Sequence, residues 1–249
     1  MKVLQIVGHH NSGKTTVIKE MVKRLKMGNK IVATIKEIHD PTFQLDTLNT
    51  NSHVHKTAGA DVTIICAEKE TDFLYYKKLD LMQIVNKISA DWLLVEGFHE
   101  FPLPKIVCAK QESDAKNFID ERTLAVAGLI SHSKKQLGNL PVFNTIDHDQ
   151  ADELFELISS RVFPMLPYVE DKCCQLCGLT CSEMVEAIVQ GKKKFEDCLI
   201  NQQEVNLKIG DRDIKTVPFV QKLLKNNVLA LVQELDGWEK GKTIKISIN

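Results

Sequence analysis

The sequence predicts an α/β protein with a mostly parallel sheet, followed by a small α+β unit, and three observations carry that prediction. Short apolar, β-branched runs alternate with helical patterns from residue 3 to residue 161, the pattern of a sheet covered by helices on both faces. A glycine-containing segment joins the first of these runs to the first helix. Two prolines, Pro164 and Pro167, then break the alternation, and five of the seven cysteines crowd between Cys173 and Cys198.

The elements follow in order. Residues 3–7 (VLQIV) read as a short buried strand and 15–26 (TTVIKEMVKRLK) as a helix with Val17, Ile18, Met21, Val22 and Leu25 on one face. Further strand-like runs occur at 31–35, 62–66, 92–95, 105–108 and 124–130, with helical patterns at 79–88 and 149–161. Lys36 to Ala60 reads as a long polar loop. The α/β domain is expected to span 1–162 and a linker 163–170. The remainder, 171–249, holds the cysteine cluster, a hairpin (VNLKI, GDR, DIKTV), a helix from Pro218 to Leu235 and a last strand, KTIKISI.

Charge is balanced: 32 basic against 33 acidic groups give a formal net charge of -1 over 249 residues. No global field concentrates nucleic acid or an anionic membrane, so neither is an expected partner. The densest basic run, Lys192 to Lys194, reads as a solvated helix face. The start, MKVLQIVGHH, has no long apolar stretch and no cleavage site, which points to a cytoplasmic protein. In that compartment crowded cysteines favour metal or cluster binding over disulfides.

Gly8-His9-His10-Asn11-Ser12-Gly13-Lys14-Thr15 fits G-x4-G-K-[ST] and sits between a strand and a helix, the P-loop arrangement of nucleotide triphosphatases. There the backbone N–H groups from Gly8 to Thr16 and the positive helix end can surround phosphate oxygens. Lys14 should reach the β- and γ-phosphates, and the Thr15 hydroxyl should hold Mg²⁺. Such a site needs an acid at the end of another strand, which Glu96 supplies after Leu93-Leu94-Val95, with Gly97 allowing the chain to turn. Lys14 and Glu96 are therefore the candidate catalytic groups, with Glu96 a second magnesium ligand. An N-K-x-D signature for guanine is incomplete, since Asn86-Lys87-Ile88-Ser89 lacks the aspartate, so the motifs alone do not choose between ATP and GTP. His53 and His55 could face one way on an extended segment, but without a third ligand at fixed spacing a solvent-facing or phosphate-proximal role is favoured over metal binding.

Cys174, Cys177, Cys181 and Cys198 follow C-x2-C-x3-C-x16-C. Three close thiolates leading into a helix, with a fourth returning beyond it, suit a four-iron, four-sulfide cluster. Met184, Ala187 and Ile188 line one side of that helix, which ends at Gly191 and brings Cys198 back. Structural zinc is the rival, although its usual second C-x2-C knuckle is missing. Cys173 is a spare thiol that could replace Cys174.

Taken together, GHHNSGKTT, IVATIKEIH, KTAGAD, WLLVEGFHEFPLPKI, LAVAG and LPVF resemble the molybdopterin-guanine dinucleotide biosynthesis protein B (MobB) family over roughly residues 1–160. The resemblance implies a P-loop NTPase fold, association with GTP, usually a homodimer, and assistance to the guanylyltransferase that attaches GMP to molybdopterin. It places phosphate binding at Gly8 to Thr16, gives Glu96 the Walker B position and makes Lys36 and His39 part of a responsive segment. Two departures stand out. The family's I-K-H appears as Ile35-Lys36-Glu37, and its D-x-x-G-x-D-S segment is only partly matched by residues 46–52. The cysteine region is similar to a four-cysteine iron–sulfur module of anaerobic redox proteins, with three rather than four residues before the third cysteine.

The expected function is a GTP-binding accessory factor in molybdenum or tungsten cofactor maturation, carrying a 4Fe-4S cluster and a weak GTPase at most. Its expected partners are the guanylyltransferase, the molybdopterin cofactor and a molybdenum or tungsten enzyme. The alternatives are a nucleotide-gated iron–sulfur or metal carrier for a redox enzyme, and a zinc-stapled adaptor.

Overall fold

The computed structural model describes residues 1–48, 50–166, 175–201, 204–210, 212–214, 216–239 and 241–246. The chain divides into two compact units, Met1–Met165 and Leu166–Asn249.

In the first unit, strand β1 (Lys2–Val7) leads through the glycine loop into helix α1 (Lys14–Met27). β2 (Val32–Lys36), α2 (Asn51–Thr57), β3 (Val62–Cys66), β4 (Thr71–Tyr75) and α3 (Leu81–Val85) follow. Next come β5 (Trp92–Glu96), β6 (Lys105–Cys108), α4 (Glu112–Lys116), β7 (Thr123–Ala127), β8 (Gln136–Leu137), β9 (Leu140–Phe143) and α5 (His148–Arg161). The main sheet has the order β2-β5-β1-β6-β7-β9-β8 and is parallel except for the short edge strand β8. Residues 3–7 of β1 and all of β7 are buried at successive positions, which requires cover on both faces. Leu81 of α3 joins Val3, Leu93 and Val95 in one apolar cluster, and Ala115 of α4 joins Val7, Val107 and Val126 in another.

α1 buries Val17, Met21 and Leu25 as its periodicity predicts, but Ile18 and Val22 are only half-buried and Arg24 is buried instead. The guanidinium is satisfied on all sides. It donates to Asp152 at 2.7 Å, to Glu20 at 2.9 Å and to the His148 carbonyl at 3.2 Å, tying α1 to α5.

Several expectations are corrected. The run at 62–66 stands outside the main sheet and pairs antiparallel with β4. Only four residues separate the two strands, too few for a crossover, and Ala67 N–H bonds the Glu70 carbonyl at 2.9 Å to close the hairpin. Ile64 and Phe73 are accordingly exposed. The loop from Lys36 to Ala60 contains α2, capped by Thr50, while Asp46 accepts the Thr50 and Ser52 hydroxyls at 3.0 and 2.7 Å. β7 stops at Ala127 and a 3-10 turn, Leu129–His132, takes over the end of the apolar run. At the start of the stretch expected as a linker, Pro164 bridges Lys2, and Met165 N–H bonds the Met1 carbonyl at 3.0 Å. Residues 167–170 lie outside the described residues.

The second unit contains α6 (Cys181–Val189), the hairpin β10 (Leu207–Ile209) and β11 (Arg212–Ile214), and α7 (Pro218–Val232). Thr180 and Glu183 form a capping box at the start of α6. Met184, Val185 and Val189 form its buried stripe, with Ala187 and Ile188 half-buried at its edge. Lys192 and Lys193 are not helical; their N–H groups bond the Ala187 carbonyl at 2.8 and 3.1 Å and close the end of α6. Gln221 of α7 is buried and exchanges two hydrogen bonds with the Val205 backbone, at 2.7 and 3.0 Å. Residues 242–246 form no strand. Among the described residues no helix is long and apolar enough to cross a membrane.

The end of β7 lies against the glycine loop so closely that a Cβ on Gly128, where φ is 94°, would collide with the Ser12 carbonyl. Gly128→Ala is expected to cost about 1–3 kcal/mol of stability. Urea unfolding would show this as a lower midpoint at unchanged slope; an unchanged midpoint would mean that the contact yields freely.

Candidate functional site

The glycine loop leaves the carboxyl end of β1, between β5 and β6, the position where parallel sheets present ligands. Its first glycine is required by space as much as by conformation. A Cβ on Gly8 would collide with the Cys108 carbonyl at the end of β6.

The helix that follows opens differently from the other helices of the first unit: α4 also lacks a side-chain cap but carries Glu112 and Asp114 in its first turn. α2, α3, α5 and α6 begin with a side-chain cap from Thr50, Asp80, Asp147 and Thr180. α1 begins at Gly13 with no side-chain cap and no acid in its first turn. Val17 N–H bonds the Gly13 carbonyl at 3.1 Å, so the N–H groups of Lys14, Thr15 and Thr16 have no acceptor within the helix. An uncapped positive helix end of this kind seats an anion.

The predicted residues converge there. His10 to Thr16, with Lys36, Glu96 and Leu129, line a cleft of about 310 Å³. Lys14 Nζ donates to the carbonyls of Gly8 at 3.0 Å and His9 at 2.8 Å, and lies 3.9 Å from Glu96 Oε1. Lys36 Nζ lies 3.8 Å from the same oxygen. Ser12 Oγ is buried in the loop without a hydrogen-bond partner. The His9 ring instead packs edge-on against Phe118 at 4.9 Å. A larger hollow of about 640 Å³ between Arg24, Trp92 and Phe155 lacks any comparable convergence, because its arginine is already paired. The Cys108 thiol beneath the loop is pushed up to about 12 by burial, so it stays protonated at neutral pH and is no nucleophile.

Sequence reasoning gave no role to Glu37, whose side chain is only 7% exposed. Its N–H donates to the Glu96 carbonyl at 2.8 Å, and its carboxylate accepts Phe98 N–H at 2.7 Å and Lys78 Nζ at 3.0 Å. Phe98 is held at φ 54°, so this carboxylate fixes the turn that follows Glu96. Burial opposes ionisation of Glu37, yet the Phe98 and Lys78 hydrogen bonds outweigh it and hold the carboxyl below its ordinary value. The signal in the sequence was an acid directly after the Ile35-Lys36 end of a strand-like run.

The other candidates do not join this cleft. His53 and His55 lie on α2, not on an extended segment, and a two-residue step turns them about 200° apart. Of the cluster cysteines, Cys177 is half-buried with its thiol 3.5 Å from the Leu179 carbonyl, Cys181 opens α6, and Cys198 is buried after the turn Phe195–Asp197. Cys173 and Cys174 lie outside the described residues. Among the described residues no three His, Cys, Asp or Glu side chains are grouped to hold a metal ion.

A parallel sheet whose first strand feeds a glycine loop, an uncapped helix and a lysine facing an acid on the neighbouring strand defines a P-loop α/β protein. Residues 3–131 match the family Molybdopterin guanine dinucleotide synthesis protein B, MobB, and the chain belongs to that family. It is 27% identical over its whole length to a Methanocaldococcus jannaschii protein provisionally named a molybdopterin-guanine dinucleotide biosynthesis adapter protein, covering 98% of that relative. The molybdopterin-guanine dinucleotide biosynthesis adapter protein of Haemophilus influenzae is 34% identical over 50% of this chain and 73% of its own. In fold, the chain is similar to the crystal structure of Bacillus subtilis MobB, with a TM-score of 0.53 at 24% identity over 63% of this chain and 98% of that one.

Glu37 provides a pH test. Because its folded pKa is lowered, its contribution to stability is fully present above the ordinary value of 4.5 and is lost as pH falls through the folded value. Glu37→Gln is expected to cost about 1–2 kcal/mol at pH 7. The gap from wild type should begin to close below pH 4.5 in thermal melts. A gap that is constant down to pH 3 would show that charge at this position contributes nothing.

Proposed function

We propose that the protein is a GTP-binding adapter in molybdopterin-guanine dinucleotide biosynthesis, acting on the guanylyltransferase of that pathway. The observation that carries this reading is the convergence of the Lys14 ammonium and the uncapped start of α1 on one cleft in a MobB-family chain. The relatives' names supply the pathway and the adapter role. The residues suit a nucleotide with magnesium. Gly8 to Thr16 would hold the phosphates, the Ser12 hydroxyl has an unmet hydrogen bond, and the Thr15 hydroxyl and Glu96 carboxylate share the cleft and would hold the cation. Bound there, magnesium supplies charge neutralisation on the phosphates. Among the described residues the lining has no arginine and no glutamine, and without a clamp on the developing charge hydrolysis should be slow.

An adapter of this kind works by difference. Nucleotide can control a partner only through the partner's unequal affinity for two states, and the partner must then change nucleotide affinity by the same factor. Titrating the guanylyltransferase of the same organism against the GTP-bound, GDP-bound and nucleotide-free protein should reveal a coupling of about fivefold or more. Lys14→Ala should abolish the nucleotide dependence. Absence of association in all three states would end the adapter reading, and cluster transfer to an apo redox enzyme would then favour the carrier.

We further infer that residues 171–249 carry a four-iron cluster on Cys174, Cys177, Cys181 and Cys198. The spacing supports this, as does the capping box that starts a helix at Cys181 and leads the chain round to Cys198. Protein purified without oxygen should contain iron and acid-labile sulfide that are lost in air, and serine at any of the four should lower both. Serine at Cys66 should leave them unchanged. Stoichiometric zinc without sulfide would overturn the cluster and favour a zinc-stapled docking unit.

A further inference from the structure

We propose that Lys36 reads the terminal phosphate of the bound nucleotide, so that the protein discriminates a nucleoside triphosphate from a diphosphate through this side chain. The proposal rests on the P-loop reading above and assigns within it a residue that no part of the glycine motif contains.

Three strands bring the parts together. Ile6 of β1 is the register partner of Glu96 on β5, and Glu96 is in turn the partner of Lys36 on β2. Neighbouring parallel strands lie about 4.8 Å apart, so Lys36 starts two strands from the glycine loop and its four-carbon stem must lean back over Glu96 to line the cleft. Its ammonium therefore enters the cleft from the β2 side, across Glu96 from Lys14 and the uncapped start of α1.

Charge gives the second argument. Lys14 and Lys36 share one carboxylate oxygen, Glu96 Oε1, at 3.9 and 3.8 Å. Both distances exceed a hydrogen bond. Lys14 is otherwise occupied by the Gly8 and His9 carbonyls, whereas among the described residues Lys36 has no partner within hydrogen-bonding distance. One carboxylate thus faces two ammonium groups and a positive helix end. The surplus suits a group with more than one negative oxygen, and the γ-phosphate is that group.

Mobility is confined to the right atoms. The Lys36 side chain is 62% exposed. Its backbone is fixed on both sides, by pairing with β5 and by the Glu37 N–H to the Glu96 carbonyl and the Glu37 carboxylate to Phe98. A fixed base with a free charged tip lets the lysine move from Glu96 to a phosphate while β2 stays in place. If Lys36 only neutralised Glu96, its loss would affect both nucleotides alike.

The test is calorimetry on the full chain with Mg²⁺, using the non-hydrolysable β,γ-imido analogue of GTP and GDP as probes. Lys36→Ala and Lys36→Gln should weaken the triphosphate analogue about 10- to 100-fold, as expected for one charge-assisted hydrogen bond. They should change GDP affinity less than about twofold. Lys36→Arg should restore most of the preference, and thermal midpoints near wild type would show that the variants are folded. Lys14→Ala should instead weaken both nucleotides. Equal losses for the two nucleotides, or no loss for either, would overturn the proposal while leaving the P-loop reading intact. A wild-type protein that binds neither would overturn both.

Discussion

Everything at the site depends on backbone lying against backbone where side chains would ordinarily intervene. The glycine loop turns between the ends of β1, β6 and β7 only because Gly8 lets it meet the Cys108 carbonyl and Gly128 lets β7 meet the Ser12 carbonyl. The approach is possible because the strands beneath are parallel and buried on both faces, so that their carboxyl ends come together beneath the loop. With the loop pinned from below, the N–H groups at the start of α1 have one direction left to face. The apolar clusters that pack on the sheet stabilise the domain, and they serve the site by holding these strand ends in place.

These strand ends also set the electrostatics. A helix end without a cap, two lysines and one half-buried glutamate form a set of charges that do not cancel. Lys14 answers part of the imbalance internally, lying on the carbonyls of its own loop, which are the nearest oxygen atoms that can stand in for phosphate. Glu37 acts one layer out. By bonding the backbone on the far side of Glu96 it fixes the acid's strand end without spending its own charge in the cleft. The glutamate therefore puts an anchor in that position.

Much of this could be read in the sequence, for physical reasons that differ from element to element. β1, α1, β5, β6 and β7 were legible because continuous burial or a helical stripe leaves a pattern, and the glycine motif was legible because few residue types tolerate its contacts. The β3–β4 hairpin was misread as part of the main sheet because a β-branched run looks the same whether it is covered or exposed; what distinguished it was the short connection to a second strand. Arg24 was missed because a buried guanidinium breaks the apolar stripe, and two of its partners, Asp152 and the His148 carbonyl, are far away in sequence. Glu37 was missed as an anchor because its partners are a backbone N–H and a lysine contributed by other segments. Lys192 to Lys194 kept the charge pattern of a helix face, but the helix had already ended. The cysteine pattern was legible from its spacing alone, and Cys174 lies outside the described residues.

The Arg24 contact has a temporal meaning as well as a spatial one. The helix that presents the phosphate loop is fastened by Asp152 and His148, more than 120 residues further along the chain, and the loop itself rests on Gly128. A ribosome delivers these parts in order, so the glycine motif emerges first and its supports last. Contacts this distant in sequence close late and slowly, after the intervening strands have paired. A chain that ends before α5 lacks the Asp152 and His148 partners that fasten α1 through Arg24. The fold thus leaves the glycine loop and its helix without their full support until the last helix of the α/β unit is in place.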